Sequence, residues 1–541
     1  MDGDDELTAE IQAQVEEWSA NSKDCFTLHI RKGDRNIATF LPEFTYEFFG
    51  EEEAIFGYHD LSIDLLFAAH DMRPSLSIHH GKVFPAQSES IRPTDIKAAL
   101  RGYLPDEALD GRNAKLLREG TGADWTPPGE EIHAYVKDGE RYEIRCASLA
   151  DPEARRVLEN MQILVPMFIE GGSVLQLEQD WSTQRWKIFL LYRTDSKPAP
   201  NTSPYTLVGF GTSYRVFTLP DRNHPSESEK RLLDDVPLDT LLHQSNQPDQ
   251  SMTDRQSPLD LPSRERLSQF LILPPFQGND HGKHLYNTIY THLTSSPNIR
   301  EFTVEDPNEA FDDLRDRCDL LRLRSTVPEF LNLRINTDIP ADRLLPTEPI
   351  PTHLIITPPA PTTLDGIRAQ TKLEKRQFDR LVEMHTLSLI PPPHRSRNRI
   401  TRKEKSKNER DRAYYFWRLY VKERLYVFNR EVLVQVERGE RVERLEAAVE
   451  GVVEGYARML EKLGRDEMVE GERGEGEVGG GEDDEVGLRA AKGQQKKKKK
   501  KRKVIDEEDD GEDEDEEMAV GRANGTAGHG GGGASKRPRQ T

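Results

Sequence analysis

Phe270-Leu271-Ile272-Leu273-Pro274-Pro275-Phe276-Gln277-Gly278-Asn279-Asp280-His281-Gly282 carries more structural information than any other stretch of the chain. The apolar run Phe270 to Leu273 predicts a short buried strand. Two prolines end it, and Gly278 and Gly282 predict a turn that opens a helix. Leu285, Tyr286, Ile289, Tyr290 and Leu293 recur at helical spacing and give that helix one apolar face. A strand, a glycine-bearing turn and a helix N-terminus together make an anion site. Unpaired backbone N–H groups and the positive end of the helix dipole point into the turn, and a pyrophosphate fits there. The next segment repeats the alternation, with a strand predicted over Ile299 to Val304. After it, Asp306 suits an N-cap, Pro307 the first helical position and Glu309 the far side of a capping box. Ala310, Phe311 and Leu314 are the predicted core face of that helix. Glu305 then falls at a strand end beside the anion site, where a carboxylate can serve as a general base.

Outward from this segment the chain is organised in blocks. Cys25 to Ile30 and Leu61 to Phe67 read as strands, and Asp151 to Gln162 as a helix. Trp186 to Tyr192 predicts a buried strand, with Thr206 to Phe217 as its antiparallel successor. Residues 222–262 are rich in Ser, Pro, Gln and Asp and read as an exposed insertion. Seven prolines between Pro340 and Pro361 predict a semi-rigid linker. Beyond it, Leu364 to Leu389 and Arg412 to Leu463 carry helical spacing. The expected division is an N-terminal mixed α/β domain (1–160), a central domain (161–325), a linker and C-terminal helical domain (326–463), and a tail (464–541).

With 541 residues and 61.8 kDa, the chain is too long for one ordinary domain. Charged residues make up 32%, and the mean hydropathy of -0.75 places part of the length outside any core. Of 38 glycines, 17 lie from Gly464 onward. In the same region eight consecutive basic residues, Lys496 to Lys503, precede eleven acids around one glycine, Asp506 to Glu517. Like charges in blocks repel and stay solvated, so the tail is expected to be disordered. The basic run, and Lys536-Arg537-Pro538-Arg539, have the composition of nuclear import signals.

A net charge of -21 is unsuited to a general nucleic-acid binder and suits a basic partner. No specific DNA binding is expected. Three scattered cysteines, Cys25, Cys146 and Cys318, show no CxxC spacing, which argues against a disulfide framework or zinc site and for a reducing compartment. No apolar run reaches the ~18 residues that span a bilayer. The acidic start, MDGDDELTAE, is not that of a secretory signal or mitochondrial presequence. No metal and no membrane association are expected.

Arg266 to Gln277, followed by Val304-Glu305-Asp306-Pro307-Asn308-Glu309-Ala310-Phe311 and on to Asp316, resembles the type B histone acetyltransferase catalytic subunit, within the GCN5-related N-acetyltransferase superfamily. Pro42 to Thr45, Phe49 to Tyr58, Phe168-Ile169-Glu170 and Arg376 to Met384 extend the resemblance over most of residues 20 to 465, outside the insertion. It implies an α+β protein whose central acetyltransferase fold, a mixed sheet flanked by helices, follows the N-terminal mixed domain and precedes the helical one. It implies acetyl-CoA along Phe270, Leu271 and Ile272, with the pyrophosphate at Gln277, Gly278, Asn279, Asp280, His281, Gly282 and Lys283, and Asn308 and Arg317 nearby. Glu305 is then the general base, with Glu170 and Asp306 as acidic neighbours. Glu51, Glu52 and Glu53, with Tyr214, Arg215 and Val216, are the implied substrate contacts. The implied substrate is the N-terminal tail of newly made, soluble histone four. The implied partners are a WD-repeat histone-binding subunit and complexes of histones three and four with chaperones. The expected location is nucleus and cytoplasm.

Three readings stay open on the sequence. A carboxylate at a strand end is by itself ordinary surface chemistry, and the ordered pattern around it is what makes Glu305 a catalytic candidate. Asp306 is equally a helix cap, and Glu51 to Glu53 equally a solvated face. The family usually has glycine where this chain has Asp280, which puts a negative charge at the pyrophosphate turn. An acetyltransferase of another protein lysine or a polyamine, and a histone-binding chaperone impaired in catalysis, are the alternatives.

Overall fold

The computed structural model describes residues 15–86, 92–114, 122–177, 180–218, 259, 261–343, 350–400 and 407–475. Most of the polar insertion, the centre of the basic segment at 401–406, and the tail from 476 lie outside them.

Alternating apolar residues build the first sheet. Strand β1 (Phe26–Lys32) buries Phe26, Leu28 and Ile30, every second residue, as a strand with one covered face must. It lies between β2 (Arg35–Phe40) and β3 (Ser62–Ala68), and β4 (Pro74–His79) completes the order β2-β1-β3-β4.

The second sheet holds six strands in chain order: β5 (Glu130–Lys137), β6 (Glu140–Ser148), β7 (Trp186–Thr194), β8 (Tyr205–Phe217), β9 (Ser263–Ile272) and β10 (Ile299–Val304). All neighbours are antiparallel except β9 and β10. Ile188 to Tyr192 on β7 are buried without alternation, the mark of a strand covered on both faces. Between β6 and β7 come α1 (Pro152–Met161), capped by the Asp151 carboxylate, and α2 (Leu164–Phe168). A parallel pair needs a crossover, and α3 (His281–Thr294) supplies it, carrying the chain from β9 over the sheet to β10. Its predicted apolar face, Leu285, Tyr286, Ile289, Tyr290 and Leu293, is buried. Two strands of this sheet precede residue 160, so a division there cuts through the sheet.

Strand β9 is longer than its apolar run. Ser263, Glu265 and Gln269 are buried on it, and Glu265 is held by Arg215 at 2.8 Å. Paired polar residues took positions that a pattern reading reserves for apolar ones.

Helix α4 (Glu309–Thr326) starts two residues later than the Asp306 cap implied. Asn308 is the cap: its backbone is extended and its side chain accepts the Phe311 N–H at 2.9 Å. Asp306 has φ 33, which an N-cap does not adopt, so it turns the chain out of β10. Ala310 is exposed, Phe311 and Leu314 are half-buried, and the buried side of α4 includes Arg315, Asp316 and Asp319. Asp316 and Asp319 face α6 (Lys375–Ser388), which follows α5 (Leu364–Thr371). Gln377 donates to Asp316 at 2.9 Å and to Asp319 at 3.0 Å, and Arg380 pairs with Asp316. Helices α7 (Glu409–Phe428) and α8 (Arg438–Glu475) complete the group. Glu383, fully buried on α6, accepts from Arg424 of α7 at 2.6 Å and from Tyr456 of α8 at 2.9 Å.

The proline-rich segment is more than a linker. Ile355 and Ile356 are buried, and Ile356–Thr357 pairs with Arg334–Ile335. Helix α8 continues past the expected end at Leu463 to Glu475. The described residues group as one compact body.

Candidate active site

Strands β9 and β10 run in parallel register from Ser263 opposite Ile299 to Leu267 opposite Val304, and then part. The Glu305 N–H makes a last bond to the Leu267 carbonyl at 2.9 Å before the chain turns away into α4. Strand β9 continues to Ile272 with β8 on one side and, among the described residues, no strand on the other. The resulting wedge has the predicted coenzyme strand, Phe270 to Ile272, as one wall. Leu271 and Ile272 are buried, and Phe270 meets Phe311 of α4 edge to face at 5.0 Å. The Ile272 carbonyl accepts from Gln277 Nε2 at 2.8 Å, so the Gln277 side chain serves the strand end rather than the turn.

Glu305 stands at the apex of the wedge. Ser268 Oγ donates to its Oε2 at 2.6 Å, and Arg266 Nη1 lies 3.4 Å from Oε1. Its carboxylate is 42% exposed, so it is oriented yet open to an incoming group. The pattern reading missed Ser268 and Arg266. Their outward alternation with Leu267 was legible, but their position opposite Glu305 depends on the β9–β10 register.

At the end of β9 the chain turns sharply into α3. Gly278 has φ 74, and Asp280 has φ 55 and ψ 5, so both need the left-handed backbone that glycine and aspartate tolerate. The first carbonyl used within α3 is that of Asp280, which accepts from His284 N. The N–H groups of His281, Gly282 and Lys283 precede it, at the positive end of the dipole. A Cβ at position 282 would sit 3.3 Å from Leu314 Cδ2, so Gly282 allows α3 to approach α4. Asn279 donates to the Gln277 carbonyl at 3.3 Å.

Asp280 does not point its charge into the turn unopposed. Lys137 Nζ of β5 lies 3.3 Å from Oδ2, and Arg317 Nη1 of α4 lies 3.9 Å from Oδ1. Burial pushes this carboxyl up, but the Lys137 hydrogen bond and the charges of Lys137, Arg317 and Lys283 outweigh it and hold the group below the ordinary range. These cations and N–H donors suit a coenzyme diphosphate. Asn308 is taken up with capping α4, and the His281 ring is buried with Nδ1 2.7 Å from the Tyr135 hydroxyl. The His281 ring is thus turned to Tyr135, leaving its backbone N–H to the turn, while Asn308 stays exposed with its Oδ1 in the cap.

The expected acidic neighbours sit on two segments, Asp306 directly after Glu305 in the turn out of β10 and Glu170 beyond α2. Glu170 is exposed in the turn after α2. That turn reaches β9 through Gln269, which donates to the Ser173 carbonyl at 2.9 Å. It reaches the N-terminal segment through Gly171, whose N–H bonds the Tyr46 hydroxyl at 2.8 Å. Glu51 and Glu52 are exposed in that segment, whereas Glu53 is structural. It accepts from Thr45 N at 2.7 Å and pairs with Lys23; burial raises its pKa, and these bonds together bring it below the usual value. Arg215 is likewise structural, buried against Glu265 and donating to the Leu259 carbonyl at 2.7 Å. Val216 is half-buried opposite Arg264. Tyr214 pairs across the sheet with Arg266, the cation beside Glu305, and its ring lies tilted against Trp186 with centroids 4.7 Å apart.

Two family models match the chain: histone acetyl transferase HAT1 N-terminus over residues 18–170, and fungal HAT1, C-terminal, over residues 357–389. The histone acetyltransferase type B catalytic subunit of Aspergillus oryzae is 37% identical over 464 residues, covering 82% of this chain and 86% of the relative. The chain belongs to this family. The type B subunit of Pyricularia oryzae is 38% identical, covering 83% of this chain and 92% of the relative; that of Schizosaccharomyces pombe is 30% identical, covering 83% and 94%. A type B catalytic subunit needs an acyl donor site and an acceptor site. Along β9, the wedge and the turn lie beyond Leu267, where β10 departs, and the Tyr214–Arg266 pair lies before it. No cluster of potential metal ligands occurs among the described residues. Cys318 is buried, and its thiol is pushed up to about 12 by burial, in keeping with a packing role.

Proposed function

We propose that this histone acetyltransferase transfers acetyl from acetyl-CoA directly to lysines in the N-terminal tail of newly made, soluble histone four, with Glu305 as general base. The observation that carries the reading is the Glu305 carboxylate, oriented by Ser268 and half open to solvent where β9 and β10 part. Acetyl-CoA supplies a thioester carbonyl that a neutral amine attacks. A free lysine has a pKa near 10.4, so only roughly one amine in 2,500 is neutral at pH 7. Glu305 raises the reactive fraction by taking the ammonium proton, directly or through one water. Phe270 to Ile272 offer a backbone edge to the pantetheine arm. The N–H groups at the start of α3, with Lys283 and Arg317, offer the diphosphate a positive cradle. Exposed Glu51, Glu52 and Glu170 lie on segments joined by hydrogen bonds to one another and to β9, which suits a basic tail. A WD-repeat histone-binding subunit, complexes of histones three and four with chaperones, and residence in both nucleus and cytoplasm complete the proposal.

Glu305→Gln tests it. Acetyl transfer to a histone-four tail peptide at pH 7 falls by on the order of 10²–10³-fold while acetyl-CoA binding by calorimetry persists. Unchanged turnover removes Glu305 from the base role. A panel of free histones, nucleosomes and polyamines, read by mass spectrometry, separates the histone tail from other amines.

A further inference from the structure

We infer that Lys137, on the far edge of the sheet, is a phosphate-binding residue of the coenzyme site, and that Asp280 is the internal anion it leaves when coenzyme arrives. The inference rests on the reading that the α3 turn receives the coenzyme diphosphate.

Aspartate is among the best N-cap residues, but a cap requires an extended backbone. Asp280 is left-handed at φ 55, and its side chain caps none of the α3 N–H groups. The carboxylate is instead turned outward to cations from separate elements: Lys137 at 3.3 Å from β5 and Arg317 at 3.9 Å from α4, with Lys283 adding its charge from α3. Positive charge from three elements thus converges beside an uncapped helix start, and the chain's own carboxylate is what it meets. The Asp280 side chain is 49% exposed and that of Lys137 is 24% exposed. Exposed pairs of this kind are worth a factor of about five or less, so they exchange readily. A diphosphate carries more charge than one carboxylate and accepts shorter, charge-assisted bonds, so it displaces Asp280 from both cations. Acetyl-CoA and the CoA product carry the same diphosphate. The exchange therefore sets affinity for both and leaves the chemical step alone.

Calorimetric titration of the full chain with CoA tests this. Lys137→Ala weakens binding about tenfold, and Lys137→Arg retains it within about twofold. Asp280→Asn keeps side-chain size and left-handed tolerance but removes the charge, and it tightens binding by about fivefold. In the Asp280→Asn background Lys137→Ala costs more than in the native chain, because no internal pair is then given up. Competition by pantetheine, which has no phosphate, is the same in every variant. Native-like CoA affinity in Lys137→Ala, or weaker binding in Asp280→Asn, overturns the inference while leaving the coenzyme site itself standing. Failure of the native chain to bind CoA overturns both.

Discussion

At the scale of single residues, the candidate site works by orientation more than by unusual groups. Ser268 is the nearest hydrogen-bond donor to Glu305, at 2.6 Å. Its replacement by alanine lets the carboxylate rotate, and kcat falls about tenfold with the acetyl-CoA KM unchanged, as steady-state kinetics will read. His281 shows a different economy. Burial first, then the charges of Lys137 and His284, lower its pKa to about 4, and burial with Arg324 lowers that of His385 to about 4. Unfolded histidine titrates near 6.5. Between those values the unfolded chain binds protons that the native chain refuses, so stability is full above about pH 6.5 and declines as pH falls toward 4. The urea midpoint will drop between about pH 7 and pH 5, and His281→Gln will remove part of that slope; an unaltered slope rejects the assignment. From sequence, Glu305 was legible as a candidate, but the burial of the His281 ring was not, because its partner, Tyr135, comes from the distant strand β5.

Among the elements, α4 matters most, since its start fixes where the chain leaves Glu305. The segment Asp306-Pro307-Asn308-Glu309 contains two residues able to cap. Pattern favoured Asp306, but the exit from a parallel strand demands a tight turn, which Asp306 makes at φ 33, and the cap passes to Asn308. Asn308→Ala should cost about 1 kcal/mol of stability in chemical denaturation, while Asp306→Gly, which keeps the left-handed turn and removes the carboxylate, stays within about 0.5 kcal/mol. The reverse order would restore the sequence-based cap. The existence and buried face of helix α3 were legible, because its five apolar positions keep one period and the glycine-bearing turn precedes them.

For the whole molecule, the helical C-terminal part is a buttress for α4 rather than a separate body. Asp316 is 2% exposed, and its cation, Arg380, comes from α6. Burial raises the Asp316 pKa, and Arg380 is the foremost of the groups that oppose the rise. Removing the cation leaves a buried carboxylate unpaired, so Arg380→Ala should lower stability by about 3 kcal/mol in urea denaturation. A loss below ~1 kcal/mol would assign the buttress to apolar packing alone. Truncation belongs after Glu475, since α8 runs to that point and holds α4 through Arg458–Glu309 at 3.0 Å and Lys462–Asp313 at 2.8 Å. A chain ending at 475 should keep tail-peptide turnover within about twofold and lose nuclear accumulation in cells. Loss of turnover would give the tail a catalytic part.

Periodicity, turn chemistry and charge blocks were enough to read β7, β8, α3 and β10, because hydrophobic spacing and backbone conformational limits act between near neighbours in the chain. They also placed Glu305 at a strand end beside the glycine turn, and the family resemblance made it the candidate base. The partners of those groups were beyond their reach. Ser268 faces Glu305 through the register of two parallel strands, Lys137 meets Asp280 across 143 positions of chain, and Arg215 is buried because Glu265 awaits it. A charged residue has the same letter whether it is solvated, paired in a core or aimed at a ligand. Which of these it becomes is set by desolvation and by what the folded chain brings within about 4 Å of it.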